Sequence, residues 1–339
     1  MKYTFKKIET GNIPWQNIEA CQDAVVFKTK AWMEFLESAY GVEPFVVEIS
    51  LRETIIGWFV GGRFRRFGFT IIGSPFEGWT TSYQGISVVN EISRSERVAI
   101  YKELSTYCLK KYCLMIQFTD WNLDFDDVNG TFKYLDKNES YWLDITPDAD
   151  TLFKSFSRSS AQYSIHRAEK LGVVVKRPDD IASYAREYYN QLMDVFAKQG
   201  LKPTYSEKTV FEMFKALDRD NKLVMLEALH PDTKEPIACI IFLMHNKMAF
   251  YWGASSYRTY QKMRPNELLM FEAIKKIKEE GCEILEMEGI RPYKEKYNPI
   301  RYAKPKIIVA RLSIIISMKN AAKKCYYSVR NLKARLKNG

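Results

Sequence analysis

The sequence predicts an α/β (α+β) protein built from two similar halves, and three observations lead to this fold class. The chain has 339 residues, the length of two domains of ~150 residues with a tail. Apolar residues follow helical spacing in some segments and form short runs in others. Each half also repeats one order of elements: helices, then strands joined by tight turns, then a helix and a further strand. We therefore expect a mixed, largely antiparallel sheet flanked by helices in each half.

The first half begins with a helix and ends with a strand. Apolar residues at helical spacing predict a helix over 30–40, and Gly41 ends it. The further elements expected in this half are strands over 44–51, 55–60 and 69–72, a helix over 93–111, a strand over 114–118 and a closing strand over 141–145.

The second half begins at Pro147 and Asp148, because Asp148 is a typical helix N-cap. We expect one helix from there to Lys170, and a two-residue hairpin turn at Asn246 and Lys247. The other expected elements are a strand over 173–176, helices over 181–199 and 206–217, strands over 223–229, 237–244 and 248–255, a helix from Asn266 to Glu280, and strands over 283–287 and 307–318. The predicted domains are therefore residues 1–146, residues 147–317, and a basic amphipathic helix over 318–339.

Composition excludes several classes of protein. Hydrophobic residues make up 46% of the chain and charged residues 27%, which is ordinary globular composition. The amino terminus has no apolar region typical of a secretory signal, and no apolar stretch reaches the ~18 residues needed to span a bilayer. The six cysteines are scattered without a C-x-x-C pair, as expected of reduced thiols in a cytosolic protein. The three histidines have no metal-ligand spacing, so no metal site is expected.

Several short motifs, taken in order, resemble the FemAB-like branch of the GNAT acyltransferase superfamily. The motifs are Phe27-Lys28-Thr29-Lys30-Ala31-Trp32, Pro75-Phe76-Glu77-Gly78-Trp79, Tyr251-Trp252-Gly253-Ala254-Ser255, Arg264-Pro265-Asn266-Glu267-Leu268-Leu269 and Tyr293-Lys294-Glu295-Lys296-Tyr297-Asn298. Three antiparallel strands, a helix and one more strand over 223–287 is also the core order of a GNAT domain. The resemblance covers about residues 20–300 and implies two GNAT-like domains in tandem, with transfer of an acyl or aminoacyl group to an amine.

The chain departs from the family pattern at several positions. Glu77-Gly78-Trp79 stands where the family often has Ser-Asp-Tyr, Gln162-Tyr163 where it usually has Arg-Asn, and Asn298-Pro299 where it has Gly-Gly. Acetyl-CoA enzymes also follow the third strand with a glycine-rich pyrophosphate turn, whereas residues 257–265 contain no glycine. The missing glycine-rich turn favours aminoacyl-tRNA over acyl-CoA as the donor co-substrate, as the resemblance also implies, and no permanently bound cofactor is expected.

The resemblance supplies the candidate site residues. Lys294 is the main catalytic candidate, since the matching family lysine lies in the groove and is thought to stabilise the oxyanion or grip a phosphate. The alternative is a solvated lysine in a basic loop. Glu286 and Glu288 alternate along a predicted strand, so Glu288 is a candidate base for the incoming amine. The expected substrate-binding residues are Trp79, Tyr83, Tyr251, Trp252, Gly253, Ala254, Arg258, Arg264, Asn266, Tyr293 and Lys296.

Three of these residues have alternative structural explanations. Gly253 and Ala254 allow a close approach of a ligand to the backbone, but they equally suit packing at the end of a strand. Asn266 is most simply the N-cap of the helix that begins there.

The positive charge is concentrated at the carboxyl end. The net charge is +10, and residues 311–339 hold eight basic residues and no acid. Apolar residues fall on one stripe of a helix in this segment: Met318, Ala322, Cys325, Val329, Leu332 and Leu336. Such a helix can dock on its own protein, lie on an anionic membrane surface or bind the phosphates of RNA. Docking alone does not explain eight cations without an acid, so a membrane surface is preferred to RNA, and both are preferred to an inert tail.

The sequence therefore predicts an acyl- or aminoacyltransferase acting on an amine of a cell-wall or surface-polysaccharide precursor. Its expected partners are a tRNA or acyl-CoA donor and a lipid-linked or nucleotide-linked sugar or peptide acceptor. Two alternatives are an acetyl-CoA-dependent N-acetyltransferase of an amino sugar, and a non-catalytic module that binds nucleic acid or membrane. The expected location is the cytoplasm, with peripheral contact at the inner face of the membrane through residues 318–339.

Overall fold

A computed structural model describes residues 2–66, 68–197 and 200–338 of the chain. The strands are β1 (Thr4–Ile8), β2 (Glu43–Leu51), β3 (Thr54–Arg66), β4 (Phe69–Ser74), β5 (Gly85–Val88), β6 (Met115–Phe118), β7 (Tyr134–Asp144), β8 (Val174–Lys176), β9 (Leu223–Leu229), β10 (Pro236–His245), β11 (Met248–Ser256), β12 (Ile284–Glu286) and β13 (Ile300–Ala310). The helices are α1 (Trp15–Glu19), α2 (Lys30–Tyr40), α3 (Arg94–Lys111), α4 (Phe125–Val128), α5 (Ala149–Ser155), α6 (Tyr163–Lys170), α7 (Ile181–Ala197), α8 (Glu207–Asp218), α9 (Pro265–Glu279) and α10 (Ser313–Asn338).

The chain forms two compact units, and the first is discontinuous in sequence. It contains Met1–Glu139 and Ala303–Val329, whereas the second contains Ser140–Tyr302 and Arg330–Gly339. The strands β7 and β13 therefore each contribute residues to both units. The tail is likewise divided, because the first part of α10 belongs to the first unit.

The first unit is a mixed sheet with helices. Its strands pair in the order β1-β2-β3-β4-β6-β13, and β5 also pairs with β3. Only β4 and β6 are parallel among these pairs. Local sequence signals set the helix ends: Thr29 caps α2, Gly41 ends it with φ 63°, and Ser93 and Glu96 form a capping box on α3. A continuous apolar core that includes Phe45, Leu104 and Ile307 fills this unit.

The second unit contains a sheet with the strand order β7-β12-β11-β10-β9-β8. The pair β11 and β12 is parallel, and the other pairs are antiparallel. Asn246 adopts φ 52° in the hairpin turn between β10 and β11, as the sequence predicts. Helices α6 and α9 contribute Ile165, Leu269 and Ile274 to its core. The predicted fold class is confirmed.

The structure corrects four local predictions. The helix expected from Asp148 to Lys170 is broken into α5, a π-helical segment over Arg158–Gln162, and α6. The break follows from the side chain of Gln162, whose Nε2 donates to the carbonyls of Lys154 and Phe156 and so satisfies the end of α5. Serine-rich sequence at the break also favours non-helical backbone.

The other corrections concern ends of elements. Residues 307–318 are not one strand, because β13 ends at Ala310 and α10 begins at Ser313. Residues 142–144 of β7, expected to close the first half, pair with β12 in the second unit. Asn266 is not a helix N-cap: Arg264 occupies that position and Pro265 begins α9. The predicted end of α7 at Gln199 lies outside the described residues.

Candidate functional site

The strands β11 and β12 separate after three paired residues. Their parallel ladder joins Met248 to Ile284 and ends where Phe250 meets Glu286, whereas β11 continues to Ser256. The chain after β12 stays with β7 instead, because the Met287 N–H donates to the Tyr141 carbonyl at 2.8 Å. The side of β11 that faces β12 therefore pairs with no strand over residues 251–256 among the described residues, and this gap is the opening between β11 and β12.

A β-bulge lies at the point where the two strands separate. Tyr251 pairs with Phe242 and Gly253 pairs with Ile241, so Trp252 is the extra residue on β11. Bulges re-aim side chains and occur often beside active sites. This bulge turns Trp252 and Gly253 toward α7.

The packing of Gly253 explains why this position is glycine. A Cβ at this position would lie 2.4 Å from the Tyr188 hydroxyl oxygen, closer than any ordinary contact. Packing against α7 is therefore sufficient to explain the glycine.

Three aromatic side chains lie together on the α7 side of the bulge. The Trp252 ring lies 5.2 Å from Tyr205 and 6.2 Å from Tyr188, and the hydroxyls of the two tyrosines are 3.0 Å apart. Among the described residues, the buried indole Nε1 of Trp252 makes no hydrogen bond. A buried donor without an acceptor is unfavourable, and a bound ligand with an acceptor atom would remove this cost.

Lys294 is a buried residue, so the alternative of a solvated loop lysine is wrong. Its exposure is only 2%, and it lies in a 3₁₀ segment over Pro292–Tyr297. The Nζ donates to the carbonyls of Met287, of Glu288 at 2.7 Å and of Gly289 at 3.2 Å. An ammonium group has three protons, so all three are engaged by the turn that follows β12.

The ammonium of Lys294 sits among charges and aromatic faces. Burial lowers its pKa to about 8, against the opposing effect of Glu286 and Glu288. Its Nζ also lies 5.2 Å from the Tyr251 ring centre and 5.7 Å from that of Tyr293. This arrangement places a positive charge directly beside the opening between β11 and β12.

Glu286 and Glu288 do not alternate on one strand, contrary to the sequence prediction. The strand β12 ends at Glu286, and Glu288 adopts a left-handed backbone with φ 57°. Glu286 is 1% exposed and accepts hydrogen bonds from the Tyr302 hydroxyl at 2.7 Å and the Glu288 N–H at 2.8 Å. Burial raises the pKa of its carboxyl.

Two residues in the first turn of α9, Asn266 and Glu267, already have partners within the protein. Glu267 in the first turn is 9% exposed and lies 2.5 Å from the Nζ of Lys296. Asn266 donates through Nδ2 to the Ser256 hydroxyl at 3.0 Å, which ties α9 to the end of β11. Arg264 precedes them with φ 59° and an exposed side chain.

The remaining candidates of the second unit lie around the opening and differ in their exposure to solvent. Arg258 forms an ion pair of 2.9 Å with Asp194 on α7. Tyr251 is buried, and Tyr293 is 52% exposed. Ala254 packs at the edge of the core. The structure thus gathers the second-unit candidates around β11, the start of α9 and the 3₁₀ segment, and their roles in catalysis or binding stay predictions.

Trp79 and Tyr83 belong to the first unit, where both are buried. Trp79 is 5% exposed and packs against Phe64 at 5.4 Å, and Tyr83 is fully buried with its ring 5.3 Å from Trp121. Both rings contribute to the packing of their own unit, and a substrate contact for either stays a prediction.

Sequence reasoning missed Tyr188, Tyr205 and Tyr302. Tyr184 and Tyr188 stand four residues apart on α7, and such helical spacing is normally a core signal. Nothing in the sequence indicates that Tyr302 reaches Glu286. No group of His, Cys, Asp or Glu side chains suitable for a metal ion occurs in the part of the chain that the structure describes.

The second unit is similar to a GNAT domain in its strand order and in this opening. Residues 155–296 match the family model described as an acetyltransferase (GNAT) domain. No curated protein sequence matches the chain.

Solved structures extend the likeness to nearly the whole chain. FemX has 11% identity and a TM-score of 0.70, and the match covers 90% of this chain and 97% of that one. L-PGS from Bacillus licheniformis has 13% identity and a TM-score of 0.50, covering 78% and 85%. A tandem GNAT protein from the clavulanic acid biosynthesis pathway has 9% identity and a TM-score of 0.50, covering 91% and 98%. The resemblance to FemAB-like proteins is confirmed at the level of the fold.

Proposed function

We propose that the second unit transfers an aminoacyl or acyl group to an amine of a cell-wall or surface-polysaccharide precursor. The observation that carries this proposal is the separation of β11 from β12 at Phe250 and Glu286, with the bulge at Trp252 beside it. An acyl carbonyl in this opening would meet main-chain groups of β11, and N–H donors there would stabilise the oxyanion that develops during attack.

The reaction needs positioning more than a dedicated base. The amine nitrogen attacks the carbonyl carbon, an amide bond forms, and the ester or thioester bond of the donor breaks. The leaving oxygen or sulfur takes up a proton that the amine loses. The burial of Lys294 and Glu286 makes this end of the opening poor in water, which favours aminolysis over hydrolysis.

Lys294 acts in this proposal through position and charge. Its three hydrogen bonds fix the turn over Met287–Gly289, and its charge makes the opening favourable for an oxyanion or a phosphate. Because no ammonium proton is left over, a direct contact with the ligand would require one carbonyl to be exchanged for a ligand oxygen.

The start of α9 favours aminoacyl-tRNA as the donor. Acyl-CoA pyrophosphate would need free N–H groups at this helix end. Here Pro265 has no N–H, and Glu267 brings a carboxylate paired with Lys296 to the same turn. Both features work against a pyrophosphate at this position. The alternative donor, acyl-CoA, is supported by the family model that matches residues 155–296.

A paired assay separates the donors and tests the site. The purified protein would be incubated with an amino-sugar or peptide amine and either labelled aminoacyl-tRNA or labelled acetyl-CoA. Transfer from aminoacyl-tRNA alone supports the first proposal, and transfer from acetyl-CoA alone supports amino-sugar N-acetylation. Lys294→Gln should lower kcat roughly 10–100-fold, whereas the exposed Lys262→Gln should not. Equal activity of the two variants, or transfer from neither donor to any amine, would overturn the assignment.

A further inference from the structure

The amino-terminal part of α10 belongs to the first unit, where two of its lysines contact a carboxylate that Lys306 of β13 also contacts. Lys306, Lys319 and Lys323 converge on one carboxylate, with distances to the Glu77 Oε1 of 3.4, 3.7 and 3.1 Å. Lys319 also donates to the Gln117 Oε1 at 2.6 Å. Burial acts to raise the pKa of Glu77, but the three lysines outweigh it and hold this pKa below its ordinary value. The polar face of the helix is therefore turned toward its own protein.

The opposite face of the same segment is apolar and exposed. Ile316, Lys319 and Lys323 follow the spacing of one helix face, and Ile316 is 4% exposed. At 100° per residue, Ile314 and Met318 point the other way, and they are 58% and 51% exposed. Leu312, just before the helix, is 63% exposed. This is the reverse of a surface helix that docks through an apolar stripe.

The stripe predicted from the sequence lies on this exposed face as far as it can be followed. Met318, Ala322 and Cys325 are exposed. The side chains of Val329, Leu332 and Leu336 lie outside the described part of the structure. The orientation in which α10 is held thus presents apolar groups outward from Ile314 to Cys325.

The segment that carries the exposed apolar face is strongly basic in sequence. Residues 311–339 carry eight basic residues without one acid. Arg311 donates to the carbonyls of Leu109 and Lys110 at the end of α3, so the exposed side chains of Lys110 and Lys111 lie nearby. No helix in the described residues is long and apolar enough to cross a membrane.

We propose that Leu312, Ile314 and Met318, with the basic α10, form an interfacial surface that binds an anionic lipid bilayer. An exposed apolar face on a helix rich in lysine and arginine, without an acidic residue, is typical of helices that lie in the plane of a membrane interface. RNA is a less suitable partner, because only the cations would contact its phosphates. The exposed apolar residues are aliphatic, whereas side chains that stack on bases are aromatic. A second copy of the chain would bring two acid-free basic helices together at a cost in repulsion.

Vesicle sedimentation with the full chain tests the proposal. Binding to phosphatidylcholine vesicles that contain phosphatidylglycerol should be much tighter than to phosphatidylcholine alone, and it should weaken as salt is added. Ile314→Gln with Met318→Gln should weaken binding to the anionic vesicles about tenfold or more. The matched control Ile55→Gln with Val89→Gln removes two apolar side chains that are 41% and 49% exposed in the same unit and should leave binding unchanged.

Several outcomes would overturn the proposal that this surface binds an anionic bilayer. One such outcome is that the wild type binds neither kind of vesicle. Another is that the two double variants lose vesicle binding to the same extent. Binding to tRNA in place of vesicles, unaffected by Ile314→Gln with Met318→Gln, would assign the cations to RNA. A dimer in light scattering that the same variant dissociates would assign the face to a second copy. Acyl transfer to a water-soluble amine is measured alongside, and its absence would count against the proposed function without affecting the vesicle result.

Discussion

Lys294 carries an energetic cost that depends on pH. Burial lowers its pKa to about 8, whereas an unfolded lysine titrates near 10.5. Between these values the unfolded chain binds more protons than the folded one, so the contribution of Lys294 to stability rises with pH across this window and is lost as pH falls to 8.

We therefore expect the free energy of unfolding of the wild type to rise relative to Lys294→Met between pH 8 and pH 10.5. The change should be on the order of 1–3 kcal/mol. Urea unfolding at several pH values measures it, and Lys262→Met provides the exposed control. A constant difference between wild type and Lys294→Met across this range would contradict the burial of the charge.

Gly253 and Tyr188 form a pair that a double-mutant cycle can isolate. Because a Cβ on Gly253 would lie 2.4 Å from the Tyr188 hydroxyl, Gly253→Ala should cost about 1–3 kcal/mol of stability. Tyr188→Phe removes that hydroxyl, so Gly253→Ala should cost clearly less in the Tyr188→Phe background. Equal costs in both backgrounds, measured by urea unfolding, would show that this contact does not select glycine.

Helix ends and turns that depend on local sequence signals were predicted better than features that depend on long-range strand pairing. The capping residues Thr29 and Ser93, the stop at Gly41 and the turn at Asn246 all act within a few residues, and their elements lie where the sequence predicts them. These signals need no knowledge of the tertiary structure, because each satisfies main-chain groups at the end of its own element.

The candidate site was less predictable, for a physical reason. The positions of Tyr251 to Ala254 and of Lys294 were found only through resemblance. The bulge at Trp252, the left-handed Glu288 and the contact of Tyr302 with Glu286 depend on strands brought together across long stretches of chain. Burial of Lys294 also depends on the turn over Met287–Gly289, and local sequence rich in charge favoured the opposite interpretation.

Glu77 is the carboxylate that two lysines of α10 share, and removing its charge should loosen the helix. Glu77→Gln leaves three lysines without their shared negative charge. We expect faster amide hydrogen exchange over residues 316–324 while exchange in α3 stays unchanged. Glu91→Gln, at an exposed position, is the control. Unchanged exchange over 316–324 would mean that Ile316 and neighbouring contacts hold the helix without Glu77.

The first unit includes a segment from near the carboxyl end of the chain. The sequence placed a domain boundary near Pro147, but the first unit also takes in Ala303–Val329. Within it, Ile307 to Ala310 of β13 pair with β6, and Ile307 is fully buried in the core with Leu104 and Phe118. No local signal reveals this return, because the pairing joins residues almost two hundred positions apart.

A fragment of residues 1–146 should therefore fail to fold cooperatively. It would leave the edge of β6 unpaired and remove a buried isoleucine from the core, which together cost several kcal/mol out of a typical total of about 5–15. Residues 1–139 joined by a flexible glycine-serine linker to 303–329 should instead unfold in one cooperative transition followed by circular dichroism. If residues 1–146 alone show the same transition, the first unit folds without β13. Its boundary is then the one predicted from the sequence, near residue 146.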